Sequence, residues 1–338
     1  MVYDPGMESS SAKILYVGGY TRSGSTLVGR VLGEPPSSIC VGETHYLWSR
    51  GLVDNVECGC GQPFRSCPFW SAVGDEAFGG WQQVDVERMV EIDHVTNLLA
   101  SLPFYWTRMQ SLKPRLRDTI NEYVVTLTAL YDAISRVSGA KVVVETSKDP
   151  TFACLLMRIQ NSDVRIVHLV RDSRAVAYSW TRKRREPSPI AGQQFMPQFS
   201  PARTARSWTT WNLAFDALSA TSLPYTKLTY ESFVNDPCAA LLRLSSFANE
   251  DLLLPESQLT NNEVQLSGHH IFSGNPMRTN TGWLPIRLDT EWQTSLSTKQ
   301  IAIVTAMTWP LLLRYGYSVL PASGQDASDA HLYAGRSS

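Results

Sequence analysis

The stretch GGYTRSGSTLVGRVL (residues 18–32) decides the fold, because a glycine turn in it joins the apolar run ILYV (14–17) to a helical pattern. A strand that enters a helix through such a turn presents backbone N–H groups and the positive end of the helix dipole to an anion. Gly19 and Gly24 have the spacing of the phosphate-binding motif G-x-x-x-x-G-K-[ST], but Ser25 replaces the lysine and Arg22 is the loop's cation. The stretch therefore predicts a phosphate site without the usual lysine.

Short apolar runs predict the sheet around this turn. KILYV (13–17), KVVVET (141–146) and VRIVHLV (164–170) are nearly continuous and separated by helical patterns, which is typical of a parallel sheet buried on both faces. YTKLTY (225–230) is a fourth candidate strand. Helices are predicted at 25–32, 86–137, 150–160, 173–183 and 298–315. Gly139 and Gly316 are the expected stop signals of two of them.

Composition limits the classes of partner. The 338 residues carry 30 basic and 31 acidic side chains, so no global charge draws the protein to nucleic acid or to an anionic membrane. With no leader pattern and no run of about 18 apolar residues, we expect a cytoplasmic protein without an integral membrane segment. The expected organisation is a single domain over 13–320 with a helical, aromatic insertion at about 50–138, and flexible ends at 1–12 and 321–338.

A second phosphate site is expected where the run VRIVHLV ends. Arg171 closes that strand, Ser173 is a candidate cap for the next helix, and Ser179 lies on that helix. Ligands of parallel sheets bind at the carboxyl ends of strands, so Arg171 and Ser179 are predicted to face one phosphate. Asp172 is interpreted as the ion-pair partner of the flanking arginines rather than as a magnesium ligand, and Arg182 to Arg185 as a solvated basic face.

Two further segments leave their roles open. ECGCGQPFRSCPFW (57–70) places Cys58, Cys60 and Cys67 close together. With one outside ligand they could hold zinc, Cys58 or Cys60 could form a disulfide with Cys67, or all could stay reduced in a structural loop, which is the default interpretation. The proline-rich stretch 185–203 is predicted to be a long loop, of the kind that forms lids or binding segments.

Taken in order, these landmarks resemble the sulfotransferases that use 3′-phosphoadenosine 5′-phosphosulfate (PAPS). GGYTRSGSTL (18–27) is similar to their 5′-phosphosulfate loop in its arginine variant, and LVRDSRAVAYSW (169–180) to their 3′-phosphate motif. ICVGETHYLW (39–48) resembles the segment with the catalytic glutamate, which falls on Glu43. ETSKDP (145–150) resembles the family's N-K-D-P stretch, whose lysine falls on Lys148. HIFSGNPMRTNTGW (270–283) is similar to a loop that covers the nucleotide.

The resemblance implies an α/β fold of three layers and P-loop type, with a central, mostly parallel sheet flanked by helices. It also implies transfer of a sulfuryl group from PAPS, as co-substrate, to an acceptor hydroxyl, with no metal required. The residues that it assigns to the nucleotide are Thr21, Arg22, Ser23, Gly24, Ser25, Thr26, Arg171, Ser179, Arg278, Thr279 and Gly282.

The catalytic residues follow from the same resemblance and from the chemistry. Glu43 is the expected base for the acceptor proton, and Arg22 and Lys148 are expected to stabilise the leaving group. His45 is the competing base, since an unperturbed imidazole has a pKa of about 6.5.

The acceptor and the assembly remain open at this point. Small molecules, lipids and glycans all offer a suitable hydroxyl, and a homodimer is among the arrangements left open. One rival function is an ATP-dependent P-loop kinase acting on a small molecule. The other is a catalytically inactive nucleotide-binding protein, which the joint presence of Glu43 and Lys148 disfavours.

Overall fold

A computed structural model describes residues 12–100, 114–159, 162–185, 194–260 and 262–319. The predicted flexible ends, apart from Ala12, lie outside the described residues, as does the segment 186–193 of the predicted loop.

In the described part of the chain, the central sheet has five strands, all parallel, in the order β2-β3-β1-β4-β5. Four of them coincide with the predicted runs to within one or two residues. The fifth, β2, was not predicted as a strand, because only the short stretch SICVG forms it. The strands are β1 Lys13–Gly18, β2 Ser38–Gly42, β3 Val142–Glu145, β4 Asp163–Val170 and β5 Tyr225–Thr229.

Strands β1 to β4 are largely buried on both faces, which explains their nearly continuous apolar runs, whereas in β5 at the sheet edge only Leu228 is fully buried. Successive side chains of a strand point to opposite faces, and β1 shows this directly. Ile14 and Tyr16 pack in one hydrophobic cluster, whereas Leu15 and Val17 pack in another on the opposite face. The molecule therefore has the three-layer α/β architecture that the sequence predicted.

Helices supply the two outer layers. The predicted helices 25–32, 173–183 and 298–315 are confirmed, and Gly139 and Gly316 follow helix ends with positive φ. Among the described residues, no helix has the length and apolarity needed to cross a bilayer. The helices are α1 Ser25–Leu32, α2 Pro68–Phe78, α3 Val86–Ala100, α4 Pro114–Ser138, α5 Pro150–Leu156, α6 Ser173–Thr181, α7 Pro201–Leu218, α8 Tyr230–Asn235, α9 Pro237–Ala248, α10 Trp292–Ser295 and α11 Thr298–Arg314.

Two helix starts differ from the prediction. Asp172, not Ser173, caps α6, because its carboxylate accepts from the Arg174 backbone N–H. Helix α7 begins at Pro201, inside the predicted loop 185–203, because Ser200 caps it and proline suits the first helical position.

A second, two-stranded sheet stands apart from the central one. Strands β6 Glu263–Leu266 and β7 Gly282–Pro285 pair antiparallel, and the segment between them contains most of the late motif 270–283. This segment returns over the carboxyl edge of the central sheet, where Ser273, Gly274 and Asn275 line a cavity.

Candidate functional site

A cavity of about 420 Å³ lies at the carboxyl edge of the central sheet, within the range of about 300–1,000 Å³ usual for ligand sites. Residues that follow all five strands contribute to its wall, since parallel strands bring their carboxyl ends to one edge. The predicted site residues that line it are Thr21, Arg22, Gly24, Ser25, Thr26, Glu43, Lys148, Arg171 and Ser179.

The loop after β1 forms an anion cradle. Gly24 has φ 93° and precedes α1 without a side-chain cap, so the first turn of the helix faces the cavity with its backbone N–H groups. A Cβ on Gly24 would lie 2.3 Å from the Tyr230 ring, so the approach of loop and ring requires glycine. Ser25 and Thr26 place hydroxyl groups at the same helix start.

Arg22 occupies the left-handed region at φ 71°, which is uncommon for a residue with a side chain. Its guanidinium lies 4.9 Å from the centre of the Trp180 ring and donates to Met196 Sδ at 3.1 Å. Backbone strain of this kind persists where the surrounding structure enforces it, and it is concentrated at functional sites.

Glu43 and Lys148 meet across the cavity floor. Glu43 directly follows β2, Lys148 follows β3, and the Lys148 ammonium donates to Glu43 Oε1. Both residues are less than a tenth exposed. Lys148 also has a positive φ, of 67°, and its carbonyl accepts from Trp211 Nε1 at 2.8 Å.

A buried carboxyl group holds this floor together. Glu145, at the end of β3, accepts from the Ser147 N–H at 2.8 Å, the Tyr131 hydroxyl at 2.6 Å and the Thr44 N–H at 3.3 Å. Burial raises the pKa of Glu145. Glu145 was not predicted as a site residue, although an acidic residue at the end of the apolar run VVVE was the signal. Its contacts tie the segments that carry Glu43 and Lys148.

Arg171, which directly follows β4, also lines the cavity. Its guanidinium donates to the Arg22 carbonyl at 3.2 Å and to Asp289 Oδ2 at 3.1 Å, and it stacks 4.7 Å from the Tyr230 ring centre. Ser179, on α6, lines the same cavity and is buried. The structure thus brings Arg171 and Ser179 to one cavity, where Asp289 pairs with the arginine.

His45 does not line the cavity, whereas its neighbour Tyr46 does. Burial, followed by the nearby charge of Lys148, lowers the pKa of His45 to about 3. An imidazole with that pKa is neutral at physiological pH, and here it has no access to a ligand in the cavity. The geometry favours Glu43 over His45 as a proton acceptor.

Three residues of the late motif also lie away from the cavity wall. Arg278 is buried and turns toward the carbonyl groups of Glu57 and Ile271, at 3.2 and 3.4 Å. Thr279 and Gly282 are exposed and do not line the cavity, and buried Ser23 does not line it either. Arg278 therefore contacts backbone that supports the wall.

The lining residues that were not predicted as site residues include Arg50, Arg184, Tyr230 and Asp289. Arg184 was assigned to a solvated face, yet it lines the cavity, and burial lowers its pKa. Arg50 comes from a π-helical turn over Leu47–Val53, a feature often found at functional sites. Five basic side chains and two carboxylates line the cavity, so its charge suits an anion.

The acidic side chains at and near the cavity are paired with basic ones. Asp172 is paired with Arg174 at 2.6 Å, as the sequence predicted. The two carboxylates that do line the cavity, Glu43 and Asp289, are paired with Lys148 and Arg171. The fold and site together define an α/β protein of P-loop type whose cavity is lined mainly by basic side chains.

Comparison with solved structures finds this fold in sulfotransferases. A sulfotransferase domain of the Synechococcus PCC 7002 olefin synthase aligns with TM-score 0.51 and 20% identity, covering 95% of this chain and 100% of that domain. A sulfotransferase domain from the curacin biosynthetic pathway aligns with TM-score 0.46 and 15% identity, covering 91% and 98%. A sulfotransferase from Mycobacterium avium aligns with TM-score 0.40 and 12% identity, covering 72% and 65%.

No protein-family model and no curated protein matches the sequence. The alignment with the olefin synthase domain nevertheless spans nearly the whole chain. This protein therefore has a sulfotransferase-like fold, as its motifs predicted.

The buried histidine gives a pH prediction. Because the pKa of His45 falls from 6.5 to about 3 on folding, the unfolded state binds more protons between these values. The His45 contribution to stability is therefore complete above about pH 6.5 and is lost as the pH falls through this window. His45→Asn should flatten the pH dependence of the unfolding free energy by at most about 1.4 kcal/mol per pH unit.

Urea unfolding at pH 7 and at pH 4.5, followed by tryptophan fluorescence, measures this slope. His94→Asn is the control, because His94 is exposed on α3. An unchanged slope in His45→Asn, or the same change in both variants, would contradict the assignment.

Proposed function

We propose that the protein transfers a sulfuryl group from PAPS to an acceptor hydroxyl. One observation carries the proposal: the cradle after β1, the Glu43–Lys148 pair and the Arg171–Ser179 pair all line one basic cavity in a sulfotransferase-like fold. Each group comes from a different part of the sequence, so their convergence is a property of the fold.

The cavity offers a place for each charged end of the nucleotide. The helix start at Gly24 to Thr26 would hold the 5′-phosphosulfate through backbone N–H and hydroxyl groups, with Arg22 adding a positive charge. Arg171 and Ser179 would hold the 3′-phosphate, which the Arg171 guanidinium can bind with two N–H groups. Tyr230 lies between the cradle and Arg171 and stacks on the latter.

The proposed transfer conserves atoms and charge at the cavity floor. The acceptor oxygen forms a bond to sulfur as the bond from sulfur to the 5′-phosphate oxygen breaks, with the two oxygens roughly in line, as in phosphoryl transfer. The acceptor proton goes to the Glu43 carboxylate. The electron pair stays on the 5′-phosphate oxygen, where Lys148 and Arg22 supply positive charge.

The ion pair between Glu43 and Lys148 suits both roles. The Lys148 ammonium donates to Glu43 Oε1, so each side chain holds the other at the cavity wall. When the carboxylate takes the acceptor proton, Lys148 loses its partner and its charge becomes available to the leaving phosphate. A magnesium-dependent kinase is less well supported, because the lining carboxylates are already paired with cations.

The acceptor class is proposed only as far as the cavity allows: a small-molecule, lipid or glycan hydroxyl. A cytoplasmic location, a homodimer and a single domain with an insertion stay predictions.

Sulfur-35-labelled PAPS, incubated with phenols, steroid alcohols, hydroxy lipids and glycans, tests the activity. Label should move to one acceptor class with release of 3′,5′-ADP. Transfer of the γ-phosphoryl group of ATP with magnesium, and none from PAPS, would support the kinase instead.

Asp289 gives a binding prediction. Its carboxylate contacts Arg171 where the 3′-phosphate would bind, and its side chain is 28% exposed. Partly exposed ion pairs contribute about 0.2–1 kcal/mol, so Asp289→Asn should tighten binding of 3′,5′-ADP by roughly 1.5- to 5-fold. Isothermal titration calorimetry measures the change.

Glu291→Gln is the matched control, because Glu291 pairs with Arg182 outside the cavity wall and should leave the affinity unchanged. Weaker binding to Asp289→Asn would mean that Asp289 orients Arg171 for the nucleotide rather than competing with it.

A further inference from the structure

Three cysteines and one histidine meet outside the cavity. Cys58 and Cys60 lie on the turn between Glu57 and Pro63, Cys67 precedes α2, and His270 follows β6 about two hundred residues later. Their four donor atoms, three sulfurs and one ring nitrogen, all lie within 4.8 Å of one another. We propose that these four residues bind a zinc ion.

The separations agree with a tetrahedral ion. Zinc lies about 2.3 Å from thiolate sulfur and about 2.0–2.1 Å from imidazole nitrogen, so donors at tetrahedral angles are about 3.5–3.8 Å apart. The Sγ atoms of Cys60 and Cys67 are 3.5 Å apart. His270 Nδ1 lies 3.2 Å from Cys67 Sγ and 4.0 Å from Cys58 Sγ. These three separations fall around the tetrahedral value.

The donor set selects for zinc. Three thiolates and one imidazole are a typical set for structural zinc and a poor one for magnesium or calcium, which prefer oxygen. The site would carry one net negative charge, and binding would release the three thiol protons to solvent. A disulfide explains less, because it needs sulfurs about 2.05 Å apart and would leave the third thiol and His270 without a role.

The surrounding contacts orient the donors. The Phe69 ring stacks on the His270 ring at 4.8 Å, with an angle of 17° between the planes. Trp70 Nε1 donates to the His270 carbonyl at 2.7 Å. Outer contacts of this kind fix the orientation of metal ligands.

The proposed ion would join two segments that support the cavity wall. The Cys58–Cys67 turn also receives a cross-connection at Gly59, whose N–H donates to the Ile271 carbonyl at 2.9 Å. His270 lies three residues before Ser273, the first of the lining residues on this segment. The ion would therefore fix the segment that returns over the sheet edge, without contacting a nucleotide in the cavity.

Metal analysis of the purified full-length protein tests the site. Protein produced with zinc in the medium should contain one zinc per chain by inductively coupled plasma mass spectrometry. Exchange with cobalt should give the strong visible bands of tetrahedral cobalt and the sulfur-to-cobalt charge-transfer band. Cys67→Ser and His270→Ala should reduce the bound zinc to a small fraction of the wild-type content.

Cys154→Ser and Cys238→Ser are the controls, one in a buried and one in an exposed position, and both should retain one zinc. If Cys67→Ser does not fold, the wild-type cobalt spectrum and zinc content decide the matter. Wild-type protein that is folded but lacks zinc, or whose intact mass is lower by two hydrogen atoms per chain because a disulfide has formed, would overturn the proposal. None of these measurements depends on sulfuryl transfer, so they stand apart from the proposed activity.

Discussion

Replacing Glu43 with glutamine is expected to lower kcat by about 10²- to 10⁴-fold, the usual effect of losing a general base. Affinity for 3′,5′-ADP should stay nearly unchanged, because the base acts on the acceptor and not on the nucleotide. Glutamine keeps the size of the side chain and can still accept a hydrogen bond from Lys148, whose ammonium now contacts Glu43. Initial rates with the acceptor found by the labelled-PAPS screen, together with calorimetry of 3′,5′-ADP, separate the two effects.

The substitution also removes a buried ion pair, so stability must be followed by thermal unfolding. Glu122→Gln is the control, because Glu122 is an exposed carboxylate paired with Arg88 on the outer helices. A variant that folds, binds 3′,5′-ADP and turns over at a near-normal rate would show that Glu43 is not the base. Because His45 does not line the cavity, the base would then have to be another group that contacts the acceptor substrate.

Replacing Arg171 with alanine is expected to weaken binding of 3′,5′-ADP by about 1.5–3 kcal/mol, the scale of a charged hydrogen bond. This corresponds to about a 10- to 150-fold rise in Kd. Binding of 5′-AMP should change much less, because it lacks the 3′-phosphate that the guanidinium would hold. Isothermal titration of both nucleotides into each protein measures the difference.

Arg182→Ala is the control for Arg171. Arg182 directly follows α6, the helix that begins two residues after Arg171, and it pairs with Glu291 outside the cavity wall. It should leave both affinities unchanged. Equal losses for 3′,5′-ADP and 5′-AMP in Arg171→Ala would mean that Arg171 acts through its contact with the Arg22 carbonyl, by shaping the cradle, rather than on the 3′-phosphate.

The fold was predictable where local pattern and topology agree. The nearly continuous apolar runs are typical of buried parallel strands. Helix α1, after the glycine turn, begins and ends where the pattern predicts, at Ser25 and Leu32. Strand β2 escaped prediction because its five residues SICVG include serine, cysteine and glycine, so pairing with β3 decides its conformation. The start of α7 was readable from Ser200 and Pro201, but the preceding prolines favoured a loop over the whole stretch.

The cavity was predictable only in part, for a different physical reason. Residues that directly follow strands, such as Glu43 and Arg171, are placed by the sheet itself. Arg184 and Asp289 reach the cavity through the path of the chain over the sheet edge, which no local pattern contains. Arg278 shows the converse, because its guanidinium bonds to backbone carbonyl groups instead of pointing into the cavity.

The same limit applies to the cysteines. Their spacing left zinc, a disulfide and reduced thiols open, because the fourth ligand was unknown. The fold brings His270 beside Cys58 and Cys67, where the bond from the Gly59 N–H to the Ile271 carbonyl joins the two segments. A metal site assembled from segments about two hundred residues apart cannot be read from motif spacing alone.

Calorimetric titration of 3′,5′-ADP, compared with ATP and magnesium, tests the central claim most directly. The buffer should be depleted of divalent ions by resin and contain no chelator, so that a structural zinc ion is not removed. The account predicts that 3′,5′-ADP binds without added metal, and more tightly than ATP does with or without magnesium. Tight, magnesium-dependent binding of ATP, with no binding of 3′,5′-ADP, would contradict it.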